Sequence, residues 1–287
     1  MNGTDQARAL LDWHIVMGID ETIAEHPVDN FAPSEPVTTA APEALHDIAP
    51  AAQLTPQAAR PPASAAPVTI SQVTPPPSGE ASVQSATELA AVAQTFDDLQ
   101  AALTDFDGCA LKKTATNMVF ADGNPSGRVL FIGEAPGAEE DRQGKPFVGP
   151  SGRLLDKMLA SIDLDRSQVL ISNTVFWRPP GNRTPTTIEA AICLPFVQRM
   201  VELMMPEVIV PLGGPAAKSL LEQTTGIGKL RGRWFTYAAA NLSSSVAATP
   251  LFHPAYLLRT PAQKRAAWRD LLMIRQRLDG ADDADGA

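Results

Sequence analysis

The spacing of apolar residues predicts alternating strands and helices between residues 128 and 278. Four short runs are almost continuously apolar, and the stretches between them carry apolar residues at helical spacing. Such runs are typical of parallel strands that helices bury on both faces. The predicted strands are 128–135, 168–175, 207–214 and 245–254. The pattern therefore predicts an α/β fold with a parallel sheet.

The pattern before this region is different. Apolar residues between 3 and 24 recur roughly at helical spacing, which predicts a short N-terminal amphipathic helix within residues 1–25. Residues 26–85 are rich in Pro, Ala, Ser and Thr. That composition cannot bury enough apolar surface to offset the entropy of ordering, so we expect a disordered linker. Helical spacing then resumes, and we expect one globular domain at 86–278, followed by an acidic disordered tail at 279–287.

Charge is distributed unevenly along the chain, whose net charge is −9. Residues 1–107 hold 15 acids and two bases, whereas residues 108–278 hold 13 acids and 21 bases. The last nine residues add four acids. A basic body between acidic ends fits a protein that binds nucleic acid, although the same balance also fits an ordinary surface.

The two cysteines, Cys109 and Cys193, are too few for a disulfide scaffold and suit a reducing compartment. The N-terminus lacks the basic and apolar regions of a signal peptide, and no apolar run is long enough to span a membrane. We therefore expect a cytoplasmic protein that does not associate with a membrane.

The acidic stretch GEAPGAEED directly follows the first predicted strand. A glycine turn in this position often binds phosphate, but this sequence does not match G-x-G-x-x-G and its carboxylates would repel a phosphate. The four acids are Glu134, Glu139, Glu140 and Asp141. A nucleotide-binding role is therefore disfavoured.

Three further side chains stand at or near predicted strand ends, where parallel sheets place their sites. His253 is the only histidine between residues 108 and 278, Asn173 lies in the second strand, and Phe147 lies in a Gly/Pro-rich loop. Each has an ordinary structural interpretation: a packed histidine, an amide satisfied by backbone, and a core aromatic. Together they also fit a pocket for a flat base. Phe147 would stack on the face of the base, and Asn173 would form hydrogen bonds with one edge of it.

Three segments between or after the strands mix bases with small and aromatic residues. Segments of this kind would gather on one rim of the sheet, which favours DNA more strongly than net charge does. Their basic residues expected to contact DNA are Arg178, Arg183, Lys229, Arg231, Arg233 and Arg259.

The motifs, in this order, resemble the uracil-DNA glycosylase superfamily, and most closely its iron–sulfur branch, often labelled family 4. The resemblance covers roughly residues 105–278. It implies a three-layer sandwich with a central four-stranded parallel sheet flanked by helices. It also implies an enzyme that flips uracil out of DNA and hydrolyses the N-glycosidic bond, which leaves an abasic site and initiates base excision repair. The resembling motifs are GEAPGAEED, GKPFVGPSG, ISNTV with RPPGNR, LGGPAAKSLL and HPAYLLR.

The resemblance also implies a role for each pocket residue. Glu134 and Ala135 would contact uracil and bound the attacking water, and Phe147 would stack on the base. Asn173 would read the O4 and N3 edge. His253 would hydrogen-bond O2 and stabilise the departing uracil anion.

The resemblance leaves several candidates for the residue that activates water. The position of Ala135 holds an aspartate in the best-known branch of the superfamily, and the iron–sulfur branch also lacks that acid. The candidates, in order, are Glu140 helped by Asn182, then Asp141 and Glu134, whereas Glu139 is expected to be a solvated neighbour.

The chain departs from the iron–sulfur branch at the four cluster cysteines. Phe106 stands in place of the first, and Trp177 in place of the third, so that only Cys109 and Cys193 remain. Two thiolates cannot hold a [4Fe–4S] cluster in the usual way. We therefore expect no iron–sulfur cluster and no metal, with Phe106 and Trp177 filling the space by apolar packing.

The expected partner is uracil-containing DNA, single- or double-stranded, into which Leu257 or Leu258 and the neighbouring Arg259 would intrude. The protein is expected to be a monomer, and the resemblance implies a location in the bacterial cytoplasm in association with the nucleoid. The N-terminal helix suggests docking to a repair or replication protein. The alternative function is a relative that binds uracil or abasic sites in DNA without turnover, or that traps them covalently.

Overall fold

The computed structural model describes residues 79–239 and 241–280, and within them a six-stranded mixed sheet forms the centre. The four inner strands are parallel and the two outer strands are antiparallel to their neighbours. The strand order is β1-β3-β2-β4-β6-β5. The strands are β1 (Ala121–Gly123), β2 (Val129–Gly133), β3 (Val169–Asn173), β4 (Val208–Pro211), β5 (Phe235–Tyr237) and β6 (Val246–Ala248).

The predicted parallel sheet of four strands is confirmed as the inner part of this sheet. The two outer strands are additional to the prediction. Each has only three residues and is partly exposed, so neither gives a clear apolar run. The inner strands β2, β3 and β4 are buried throughout, as their continuous apolar runs indicated.

Helices cover both faces of the sheet and divide the core into two clusters. Along β2, Leu130 and Ile132 point into one cluster, whereas Val129 and Phe131 point into the other. This alternation gives the three layers of the predicted α/β fold. The helices are α1 (Gly79–Val92), α2 (Phe96–Asp105), α3 (Ala138–Gln143), α4 (Pro150–Ala160), α5 (Thr187–Met204), α6 (Gly214–Leu221), α7 (Ile227–Leu230), α8 (Pro254–Arg259) and α9 (Lys264–Leu278).

The register brings the carboxyl ends of the parallel strands to one edge. Gly133 at the end of β2 pairs with Asn173 at the end of β3. On the other side of β2, the segment after β4 continues to Leu212, which forms a bridge with Leu251. The loops that follow these positions therefore start side by side.

The helical pattern before the sheet forms two helices. Helix α1 begins at Gly79, inside the segment predicted as linker, and packs its buried Ala86 and Ala90 into the core. Helix α2 begins after Thr95, whose side chain accepts a hydrogen bond from the Asp98 amide while Asp98 accepts one from the Thr95 amide.

The predicted N-terminal helix (1–25), the linker up to residue 78 and the tail from 281 to 287 lie outside the described residues. Within residues 79–239 and 241–280, no helix is long and apolar enough to cross a membrane.

Candidate active site

A cleft of about 1000 Å³ opens at the carboxyl edge of the parallel strands. Its walls come from the loops after β2, β3 and β4 and from helix α8. The predicted site residues that line it are Glu134, Ala135, Glu140, Phe147, Asn173, Asn182, Arg183, Arg231, His253 and Arg259. Side chains from distant parts of the sequence therefore meet in one place.

Other predicted residues lie outside the lining of this cleft: Asp141, Arg178, Lys229, Arg233, Leu257 and Leu258. The two leucines of α8 differ sharply in exposure. Leu257 is 1% exposed and belongs to the core, whereas Leu258 is 43% exposed. Of the two, only Leu258 is available to enter a duplex.

Asn173 is almost completely buried at the end of β3. Its Oδ1 atom is buried and has no hydrogen-bond partner among the described residues. An unpaired buried acceptor costs about 1–3 kcal/mol, so this atom is available to a donor that the described residues do not supply. Because Asn173 lines the cleft, a ligand in the cleft is the natural source of that donor.

Gly133 allows the amide of Asn173 to approach the ring of Phe147. A Cβ atom at residue 133 would lie 2.4 Å from Oδ1 of Asn173 and 2.7 Å from Cζ of Phe147. Any side chain at this strand end would therefore displace both groups.

Phe147 lines the cleft with a buried ring and a backbone in the left-handed region, with φ of 53°. This conformation is unfavourable for an aromatic residue and costs about 1–3 kcal/mol. Gly152 on α4 makes it possible, because a Cβ there would lie 1.7 Å from the carbonyl oxygen of Phe147. The Phe147 ring centroid is 5.6 Å from that of His253, so one ligand can touch both rings.

His253 is the N-cap of α8, and its Nδ1 atom accepts a hydrogen bond from the Ala255 amide at 3.1 Å. Burial lowers the pKa of His253 to about 4, and the positive charge of Arg259 acts in the same direction. The imidazole is therefore neutral at pH 7. Because Nδ1 is an acceptor, the proton is on Nε2, which is left as a hydrogen-bond donor.

Two of the loop acids are hydrogen-bonded to backbone amides. Oε1 of Glu140 accepts from the amides of Val148 and Gly149 at 3.0 and 2.9 Å. Oδ1 of Asp141 accepts from two amides of the chain before β1, at residues 116 and 117, at 2.8 and 3.0 Å. These contacts anchor the loop on both sides.

The other two acids, Glu139 and Glu134, differ from each other in exposure. Glu139 forms an exposed ion pair with Arg142. Glu134 is half-buried in the cleft, and burial raises its pKa above the ordinary carboxyl value, although a hydrogen bond with Thr184 opposes the shift. Glu134 is thus the acid whose environment is set by the cleft itself.

The predicted basic residues also differ in their partners. Arg183 forms a two-point ion pair with Glu189, and Arg178 donates to Oδ1 of Asn182 at 2.7 Å. Arg231 forms a two-point pair with Asp270 at 2.6 and 2.7 Å. The exposed residues of the set are Lys229, Arg233 and Arg259, together with the paired Arg183.

Packed side chains occupy the four positions at which the iron–sulfur branch has its cluster cysteines. Cys109 and Cys193 are fully buried, and a hydrogen bond between their thiols lowers the pKa of Cys109 and raises that of Cys193. Phe106 packs on Phe196 with ring centroids 5.3 Å apart, and Trp177 is 2% exposed in the same core. Two thiols beside aromatic rings do not fit a cluster that needs four cysteine ligands.

Some supporting residues lie within the motifs, but the sequence does not show what they do. Gly133 carries a partial signal, because a glycine ending a buried strand often marks a close approach. The Ala255 amide that orients His253 and the Gly152 position that admits Phe147 carry none. Their importance depends on atoms from other segments, which the sequence does not bring together.

Comparisons with known proteins show the family to which the chain is similar. The model of the Uracil DNA glycosylase superfamily matches residues 120–272. The chain is 40% identical over 173 residues to the type-4 uracil-DNA glycosylase of Archaeoglobus fulgidus, covering 58% of this chain and 85% of that protein. It is 41% identical over 152 residues to the protein of that name from Thermotoga maritima, covering 53% and 77%. It is 37% identical over 173 residues to the type-4 uracil-DNA glycosylase of Sulfurisphaera tokodaii, covering 58% of this chain and 78% of that protein. With more than half of its length matched by the family model, the chain belongs to the uracil-DNA glycosylase superfamily.

Proposed function

We propose that the protein is a uracil-DNA glycosylase that hydrolyses the N-glycosidic bond of deoxyuridine in DNA and works without an iron–sulfur cluster. The observation that carries the proposal is the buried Oδ1 of Asn173, which has no partner in the described part of the chain and shares one cleft with the Phe147 ring and the His253 imidazole. The names of the similar proteins support the same activity.

The pocket selects uracil by its hydrogen-bonding edge. The base stacks on Phe147, Oδ1 of Asn173 accepts from N3–H, and the amide nitrogen of Asn173 donates to O4. Cytosine has an unprotonated N3 and an amino group at this edge, so both hydrogen bonds would be lost. Since the unpaired groups would remain buried, the penalty for cytosine is large.

Bond cleavage places negative charge on the base. As the bond between C1′ and N1 breaks, its electron pair stays on uracil and delocalises to O2. The Nε2–H of neutral His253 donates a hydrogen bond to O2 and stabilises this anion, so no acid needs to protonate the base first.

The sugar left behind is cation-like, and water completes the reaction. Glu134 is the residue that we assign to this water: its carboxylate stabilises the sugar and takes a proton as the water oxygen bonds to C1′. Glu140 has one carboxylate oxygen committed to two amides, and Asp141 lies outside the cleft lining. The acidic loop therefore holds a developing cation and not a phosphate.

The rate is expected to fall as pH decreases through the pKa of Glu134, which burial raises, because only the ionised carboxylate accepts a proton. With its pKa at about 4, His253 stays neutral and adds no change near its ordinary value of 6.5. Measuring kcat/KM between pH 4.5 and 8.5 tests this. The acidic limb should disappear in Glu134→Gln. A limb that persists in that variant would contradict the assignment.

Phosphate contacts are expected from exposed cations more than from cations already paired. Replacing Lys229 with Ala should weaken DNA binding and reduce the slope of log affinity against log salt by about 1. Replacing Arg231, whose charge is paired with Asp270, should lower Tm but leave the slope unchanged. Fluorescence anisotropy at several salt concentrations measures both. A lower slope for Arg231→Gln, or an unchanged slope for Lys229→Ala, would count against this division.

The thiols are proposed to be packing groups and not cluster ligands. Changing both Cys109 and Cys193 to Ala is expected to leave the cleavage rate within about threefold, with a modest loss of stability from two small buried side chains. Iron analysis of protein made in iron-supplemented cells accompanies the assay. Stoichiometric iron in the wild type, lost with activity in the double variant, would overturn the cluster-free proposal.

The activity itself is tested with an end-labelled oligonucleotide that contains one deoxyuridine. Hot alkali converts each abasic site to a strand break, which a denaturing gel resolves. The proposal expects breaks at the deoxyuridine and none in a control strand with deoxycytidine. A shifted band that survives denaturation, without breaks, would indicate a relative that traps the site covalently. Absence of both would refute the glycosylase proposal.

A further inference from the structure

We propose that Arg166 is a positioning residue, whose guanidinium holds the Phe147 ring in place against the base. This inference rests on the proposed function, since it concerns how the pocket presents its stacking surface. Arg166 belongs to none of the motifs that identify the family. It lies in the turn between α4 and β3.

Arg166 donates hydrogen bonds to the peptide groups before and after Phe147. Its Nη1 donates to the carbonyl oxygen of Pro146 at 3.2 Å, and its Nη2 donates to the carbonyl oxygen of Phe147. These two consecutive carbonyls belong to the peptide planes that flank the left-handed residue. Holding both planes fixes the direction in which the Phe147 side chain leaves the backbone.

The guanidinium is itself fixed by two carboxylates from different elements. Nε donates to Oδ1 of Asp156 on α4 at 2.8 Å, and Nη1 donates to Oδ2 of Asp122 on β1 at 2.7 Å. The side chain is only 26% exposed. A planar fork can satisfy four acceptors in fixed directions, whereas a lysine ammonium cannot reproduce this arrangement.

The opposite side of the loop is held by Glu140 through the amides of Val148 and Gly149. Phe147 therefore sits between two clamps, one on carbonyls and one on amides. Because its backbone conformation is intrinsically unfavourable, the loop is expected to relax when either clamp is removed. A shift of about 1 Å in a group that orients the substrate can cost about a hundredfold in rate.

The experiment compares Arg166→Met and Arg166→Lys with a matched control, Arg128→Met. Arg128 also pairs with a carboxylate, Glu207, and also donates to a backbone carbonyl, that of Leu278, but it precedes β2 at the other end of the sheet. We expect the single-turnover rate to fall about tenfold to a hundredfold in Arg166→Met, and less in Arg166→Lys. The control should keep the wild-type rate, and DNA affinity should change by less than about threefold in all three.

A double-mutant cycle with Phe147→Ala separates positioning from general destabilisation. If Arg166 acts through Phe147, the double variant should be no slower than Phe147→Ala alone. Additive losses, or an equal loss in Arg128→Met, would overturn the inference.

Hydrogen exchange gives a readout that does not depend on catalysis. The amides of Val148 and Gly149, which donate to Glu140, should exchange at least about tenfold faster in Arg166→Met and at the wild-type rate in Arg128→Met. Unchanged exchange in Arg166→Met would overturn the inference even if the enzyme is active. A wild type without cleavage would instead refute the proposed function, while the exchange result would still decide whether Arg166 holds the loop.

Discussion

Replacing His253 with Ala is expected to slow cleavage of the glycosidic bond by about a hundredfold to a thousandfold, the usual cost of removing one donor to a developing oxyanion. The Nε2–H donor is oriented by the Ala255 amide and kept on a neutral ring by burial. A preorganised donor acts mainly in the transition state, so the loss should appear in kcat more than in DNA affinity.

Single-turnover rates with excess enzyme, on an oligonucleotide with one deoxyuridine, measure this effect directly. Fluorescence anisotropy on the same strand reports affinity. His253→Gln is the informative companion, because its side-chain amide can still donate near the position of Nε2 and should restore part of the rate. A rate for His253→Ala within about threefold of the wild type would exclude His253 from the chemistry.

Replacing Asn173 with Ala is expected to reduce uracil cleavage by about a hundredfold to ten-thousandfold. Two hydrogen bonds to the base are lost and the polar edge of uracil stays buried without partners, at about 1–3 kcal/mol for each group. The same change should leave Tm equal or higher. The reason is that Oδ1 of Asn173 is buried without a partner among the residues that the structure describes, and removing it relieves a cost.

This opposite response of activity and stability distinguishes a binding residue from a structural one. Asn124 provides the matched control. Its side chain donates to the Ser167 carbonyl and accepts from the Ser126 amide, so Asn124→Ala should lower Tm and leave the cleavage rate unchanged. Thermal melts and cleavage rates of both variants decide the matter. A lower Tm with full activity in Asn173→Ala would mean that the amide is structural.

The two expected losses follow from the same construction. The end of β3 supplies Asn173, the N-cap position before α8 supplies His253, and a loop supplies the Phe147 ring. The sheet holds Asn173, and the first turn of α8 holds His253 through the Ala255 amide. The ring needs additional anchors, which Glu140 and Arg166 provide through the loop backbone. The site therefore depends on residues that touch no substrate.

The sequence by itself determined the parallel sheet and the edge at which the cleft opens. Continuous apolar runs indicated strands buried on both faces, and the carboxyl ends of parallel strands always meet at one edge. That rule was enough to bring Glu134, Asn173 and His253 together, although 119 positions separate the first from the last. The short outer strands escaped prediction because three partly exposed residues carry no clear periodicity.

The tertiary structure alone decided which polar groups are available to bind a ligand. Glu134, Glu140 and Asp141 are close in sequence, but backbone amides bind a carboxylate oxygen of Glu140 and of Asp141, whereas burial in the cleft raises the pKa of Glu134. Arg231 resembles a phosphate contact until its pairing with Asp270, 39 residues later, is known. Apolar periodicity shows which side of a helix or strand is buried, because the local backbone geometry sets the direction of each side chain. The partner of a charged group depends on which distant segment packs beside it, and only the folded chain fixes that choice.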